Sequence, residues 1–111
     1  MSLDFPRTAR LTTADDFDRV MQGGQRHKNN HSQIFVLAMA GPPSRLGLVV
    51  SKRCGHAPRR NQWKRLWREA FRLERGAFAR PVDMVIRVLP GAALPALEDL
   101  RRQLRTINKA P

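Results

Sequence analysis

A chain of 111 residues with 41% hydrophobic content is sized for one domain with a modest core and is too apolar to be wholly disordered. Its 21 Lys and Arg against 9 Asp and Glu leave a net charge of +12, which opposes compaction and points to a polyanionic partner. The longest uncharged apolar stretch, Ile34 to Ala40, is far too short to span a bilayer, and Cys54, the only cysteine, has no partner for an internal disulfide.

The amino-terminal "MSLDFPRTARL" has no apolar signal core, so a cytoplasmic protein with no membrane partner is expected. "TTADDFDRVMQGG" then predicts a first helix, capped by Thr12 or Thr13 and stopped by Gly23-Gly24. Asp15 and Asp16 suit its positive end, and Phe17, Val20 and Met21 form an apolar face. "GQRHKNNHS" reads as a loop or a weak edge strand. "QIFVLAMA" (33–40) reads as a strand apolar on both faces, and "RLGLVVSK" (45–52), beyond the "GPPS" turn, as its hairpin partner. A long basic helix follows, then a strand over "PVDMVIRVL" (81–89). A last helix carries a stripe of Leu97, Leu100, Leu104 and Ile107, with Arg101, Arg102 and Arg105 mostly away from it. Helices and strands in this order, around one sheet, predict an α+β sandwich.

The long helix, "RRNQWKRLWREAFRLER" (59–75), has two sides. At helical spacing Trp63, Leu66, Trp67 and Ala70 share one arc, with Phe71 at its border, and this arc is expected to face the sheet. Arg60, Asn61, Lys64, Arg65, Arg68, Arg72 and Arg75 share the other. A solvated helix face ordinarily mixes signs; here like charges stack three and four apart, at a few tenths of a kcal/mol per pair, roughly. Phosphates would neutralise them. Arginine suits forked donation to phosphate oxygens, and Asn61 offers a donor and an acceptor to a base edge or a 2′-hydroxyl.

Other chemistry finds little support. His27 and His31 in "HKNNH" have the spacing of two ligands on a helix, but no third ligand is evident and Asn-Asn disfavours helix, so a surface loop is expected. Cys54 beside Lys52 and Arg53 has no partner base and reads as incidental. Asp15-Asp16 is explained by capping. A protein-only nuclease needs clustered carboxylates or paired histidines aimed at a phosphate, and neither is present in the sequence.

"RRNQWKRLWREAFR", preceded by "RLGLVVSKRCGHAP", resembles the signature region of the bacterial ribonuclease P protein component. The matching positions are Arg60-Asn61, Lys64-Arg65, Arg68, Glu69, Phe71 and Arg72, with Gly47, Leu48, Val50, Lys52 and Arg53 before them. "FPRTARL", "DDFDRVMQGG" and "VDMVIRVLPGAA" also fit in the expected order. The resemblance implies a single RNA-binding domain over 1–111, a two-layer sandwich of a four-stranded sheet with three helices. It also implies a left-handed βαβ crossover (ribosomal protein S5 domain 2-like), where the general preference for right-handed crossovers would predict the opposite hand.

It further implies a protein subunit of ribonuclease P that binds the catalytic RNA and the 5′ leader of precursor tRNA, with no obligate protein partner. The cleavage chemistry would belong to the RNA, so no residue of this chain is expected to be catalytic. Lys52, Arg53, Arg59, Arg60, Asn61, Lys64, Arg65, Arg68 and Arg72 are then expected to grip RNA, and Phe17, Met21 and Phe35 to line a leader cleft. Mg²⁺ is expected in the holoenzyme, bound mainly by RNA, with no metal site built by this chain alone. The chain departs from the family pattern at Gln62, where the motif has Arg, with Arg59 partly in its stead, and at Met21, where a second aromatic is common. The alternation does not decide whether Phe35 faces cleft or core. Two rival readings of the charge are a DNA-binding module, which lacks a dimer or second motif, and a peripheral membrane protein, which requires an exposed Trp face.

Overall fold

The computed structural model describes residues 9–41 and 43–109; residues 5–8 of "FPRTARL" lie outside them. Helix α1 spans Ala14–Gly23, strand β1 Gln25–Lys28, β2 Ser32–Ala38, β3 Arg45–Val49, helix α2 Ala57–Glu74, β4 Val82–Val88 and α3 Leu97–Lys109. Thr13 caps α1 as its side chain accepts from the Asp16 amide at 3.1 Å, satisfying a donor that the first turn cannot use.

The four strands form one sheet in the order β1-β2-β4-β3, with β4 antiparallel to β2 and parallel to β3. The predicted hairpin between 33–40 and 45–52 is therefore corrected: β4 lies between these strands. Six of the seven β4 residues are buried, so it takes a central place, and β3 reaches its parallel neighbour through the α2 crossover. The true hairpin partner of β2 is β1, an edge strand whose exposed Gln25, Arg26 and Lys28 hide it among polar loops.

Register sorts the side chains onto two faces. One carries Ile34, Val36, Leu46, Leu48, Met84, Ile86 and Val88 toward α2 and α3, packed with fully buried Trp63, Trp67, Phe71, Leu100 and Leu104. Phe71, at the border of the wheel, is buried and meets Phe78 edge to face at 5.7 Å. The other face carries Phe35, Val85 and Val49 toward α1, where a smaller cluster gathers Leu11 and Val20. Buried Glu74 fastens α2 to α3 by accepting from Arg101 Nε at 2.7 Å.

The "HKNNH" segment is not a surface loop throughout. Asn29 makes the β1–β2 turn, its side-chain oxygen accepting from the amides of His31 and Ser32 at 2.8 Å each. His31 itself is buried. Its ring lies 5.6 Å from that of Trp63 and 6.2 Å from that of Trp67, with Nδ1 2.8 Å from Ser32 Oγ and Nε2 3.2 Å from Gln103 Nε2. Local polarity in the sequence conceals this, because the apolar partners come from α2. Cys54 is likewise buried, its thiol donating to the Val88 carbonyl at 3.5 Å.

Candidate nucleic-acid interface

Three features converge at the start of α2. A short 3₁₀ turn, Lys52–Cys54, leads out of β3 and exposes Lys52 and Arg53. Gly55, at φ 128°, then turns the chain into the helix, a conformation open to glycine and strained for other residues. The first turn of α2 has no acid, and its cap residue His56 makes no side-chain capping bond. The positive end of the helix dipole thus adds to the cations around it rather than being neutralised locally. A hollow of about 590 Å³ opens here, lined by Arg53, His56, Arg59, Gln62 and the turn at Gly91-Ala92.

Along α2 the structure separates the sequence's two arcs. Trp63, Trp67 and Ala70 are buried, whereas Asn61 and Arg65 are exposed and Arg59, Arg60, Lys64 and Arg68 partly so. Among the described residues, Lys52, Arg53, Arg59, Arg60, Lys64, Arg65 and Arg68 meet no carboxylate at ion-pair distance. Arg72 differs: its Nε donates to Glu69 at 3.1 Å, and a second bond closes the fork. Glu69 is held below the ordinary carboxylate range by those bonds. The one-signed face is therefore interrupted at Arg72.

Arg68 is pushed below its ordinary pKa, first by burial and then by the charge of Arg10. Sequence reasoning missed Arg10. It belongs to the segment beside β3, bridged in parallel to Leu46, with the next amide, Leu11, donating to the Leu46 carbonyl at 2.9 Å. Only the tertiary fold brings this cation to α2. Crowding like charges around a half-buried guanidinium is unfavourable, and a bound polyanion relieves it.

The second group of expected residues gathers on the α1 face. Phe17 and Met21 are half-buried, while Phe35 is only 8% exposed and sits in the small core, so it forms the floor rather than an open platform. The register sets Arg26, Phe35, Val85 and Gly47 in one cross-strand row and Lys28, Gln33, Arg87 and Val49 in the next. Arg26, Lys28 and Arg87 are exposed on this face. None of the three is among the site residues expected from the sequence. The alternation of β1 and β4 contained the signal, but it becomes legible once the pairing is known.

The sequence model of the family described as Ribonuclease P matches residues 5–110. The chain belongs to the ribonuclease P protein family. Its relatives in that family include the ribonuclease P protein component of Syntrophobacter fumaroxidans, 37% identical over 99 residues, covering 88% of this chain and 83% of the relative. That of Desulfotalea psychrophila is 34% identical over 106 residues, covering 96% of this chain and 88% of the relative. Among solved structures, the RNase P protein of Thermotoga maritima superposes with a TM-score of 0.75 at 28% identity, covering 90% of this chain and 94% of that one. The RNase P protein of Staphylococcus aureus has the same fold, with a TM-score of 0.76 at 24% identity, covering 93% and 94%. The family provides the protein component of an endoribonuclease that processes tRNA 5′ ends, so its setting is an assembly with RNA.

No helix among the described residues is long and apolar enough to cross a membrane. Among the same residues, no group of three or more His, Cys, Asp or Glu is placed to hold a metal ion.

Proposed function

We propose that this chain binds the catalytic RNA of ribonuclease P through the outer face of α2 and holds the 5′ leader of precursor tRNA against the α1 side of the sheet. One observation carries the reading: among the described residues, the cations of Lys52, Arg53 and the first three turns of α2 are left without carboxylate partners, on a helix whose other side is locked into the core by two tryptophans. A rigid cationic row with no internal counter-charge suits phosphates spaced along folded RNA. Asn61 lies exposed within it, where it can bond a base edge or a ribose hydroxyl. On the opposite face of the sheet, partly exposed Phe17 offers stacking area, and Arg26, Lys28 and Arg87 offer charge to a single strand.

In this scheme the RNA subunit carries out cleavage and Mg²⁺ is held mainly by RNA phosphates. The chain contributes fixed cations that do part of the screening otherwise supplied by Mg²⁺, and it works in the cytoplasm without an obligate protein partner. Reconstitution tests the reading. Added to a bacterial ribonuclease P RNA at low Mg²⁺, the protein should restore removal of the leader from precursor tRNA. Failure to stimulate, together with displacement from that RNA by duplex DNA at equal phosphate concentration, would overturn it.

A further inference from the structure

Gly47 occupies the middle of β3, where a glycine weakens a strand. Its backbone does not demand one, since the described glycines with positive φ are Gly55 and Gly91. Space demands it. A Cβ at this position would lie 2.7 Å from Cζ and 2.8 Å from Cε1 of Phe17, and 3.2 Å from Cβ of Leu11. The tip of the Phe17 ring thus occupies the place where any other residue would put its side chain.

The surroundings fix that ring from several sides. Leu11 is buried, with its amide bonded to the Leu46 carbonyl. Helix α1 is tethered to the sheet by Arg19, two residues beyond Phe17, through a 2.7 Å bond to Asp83. Val85, the cross-strand partner of Gly47, and Phe35 beyond it complete the floor. Phe17 is nevertheless not buried outright: it keeps part of its surface exposed, unlike Phe35 and Val85 beneath it.

We propose that Gly47 is a positioning residue for single-stranded RNA: it leaves the hollow that seats the Phe17 ring, and the seated ring presents a fixed surface on which one unpaired leader base stacks. The inference rests on the reading of the α1 face as the leader site. A methyl group at position 47 lifts the ring from the sheet into the space the base would occupy. An unseated ring must also be ordered each time a base binds, which weakens stacking further.

The test uses the assembled RNA–protein complex and compares affinity for precursor tRNA with affinity for mature tRNA lacking the leader. Gly47→Ala should fold, as judged by circular dichroism, and bind the RNA subunit as the wild type does. It should lose roughly 5- to 150-fold in the preference for leader-bearing RNA, the range for one stacked base. Phe17→Ala should show the same loss, and the double variant should lose no more than either single one. A Gly47→Ala chain that keeps the preference, adds its loss to that of Phe17→Ala, or fails to fold overturns the inference, because the glycine then serves something other than the ring. A Phe17→Ala complex that keeps the preference overturns the leader reading itself, so the two failures are told apart.

Discussion

Arg19 of α1 donates to Asp83 of β4 at 2.7 Å, and this bond ties the helix to the centre of the sheet. Asp83 is fully buried and also accepts a forked pair from Arg45, Nε at 2.9 Å and an amino group at 2.7 Å. Burial pushes the carboxyl up, but the bonds from Arg45 and Arg19 outweigh it and hold the pKa below the ordinary 3.8. The two guanidiniums reach solvent, so Asp83→Asn should cost about 3 kcal/mol, the low end for breaking a buried pair from one side. With a lowered folded pKa, the stabilisation is complete above the ordinary aspartate range and is lost as pH falls through and below it. Urea unfolding across that range should show a steep acid limb in the wild type and a shallower one in Asp83→Asn.

His31 predicts a second, milder pH dependence. Burial lowers its pKa from 6.5, partly opposed by the charge of Asp99. The neutral ring is the folded form, so its contribution is full above the unfolded value and drains away as pH falls below it. The urea midpoint should drop between about pH 7.5 and about pH 5.5. In His31→Gln that drop should largely disappear, whatever the variant's absolute stability. An unchanged slope in the variant would assign the titration elsewhere.

Charge reversal tests the α2 face. Arg65→Glu with Arg68→Glu removes two cations and sets two repulsions against phosphate, so affinity for the RNA subunit should fall by at least about a hundred-fold. The dependence of log affinity on log salt should become shallower by roughly 2. The fold should survive, since Arg65 is exposed and a glutamate at 68 would lie near Arg10. Near-wild-type affinity in a folded double variant would remove the main support for the interface.

Arg72 should behave differently from Arg65. Its guanidinium is already forked onto Glu69, so binding RNA requires giving up that pair. Arg72→Ala is expected to weaken RNA binding less than Arg65→Ala does, and Glu69→Gln to strengthen it by releasing the cation. Filter-binding titrations of the three single variants at one salt concentration decide between this and an equal role for both arginines.

The amphipathic helix could be read directly, because Trp63, Trp67 and Ala70 recur at helical spacing and periodicity reports burial on a single element. The cap at Thr13 was equally local. Strand order was not legible: β2, β3 and β4 all carry apolar residues on both faces, and alternation cannot name a neighbour for such strands. The depth of Phe35, the surroundings of His31 and the approach of Arg10 to Arg68 all depend on contacts between residues distant in sequence. The pairing of Arg72 with Glu69 is hidden for another reason: the wheel orders directions around a helix and is silent about which of two neighbouring opposite charges will close on each other.

Among the described residues β1 has a neighbouring strand on one side only, and three of its four residues are exposed. An open edge of this kind is a template on which a second copy could add a strand and begin to polymerise. Arg26 and Lys28 set mutual repulsion along that border, so the basicity suited to RNA also discourages edge-to-edge aggregation of chains still waiting for it.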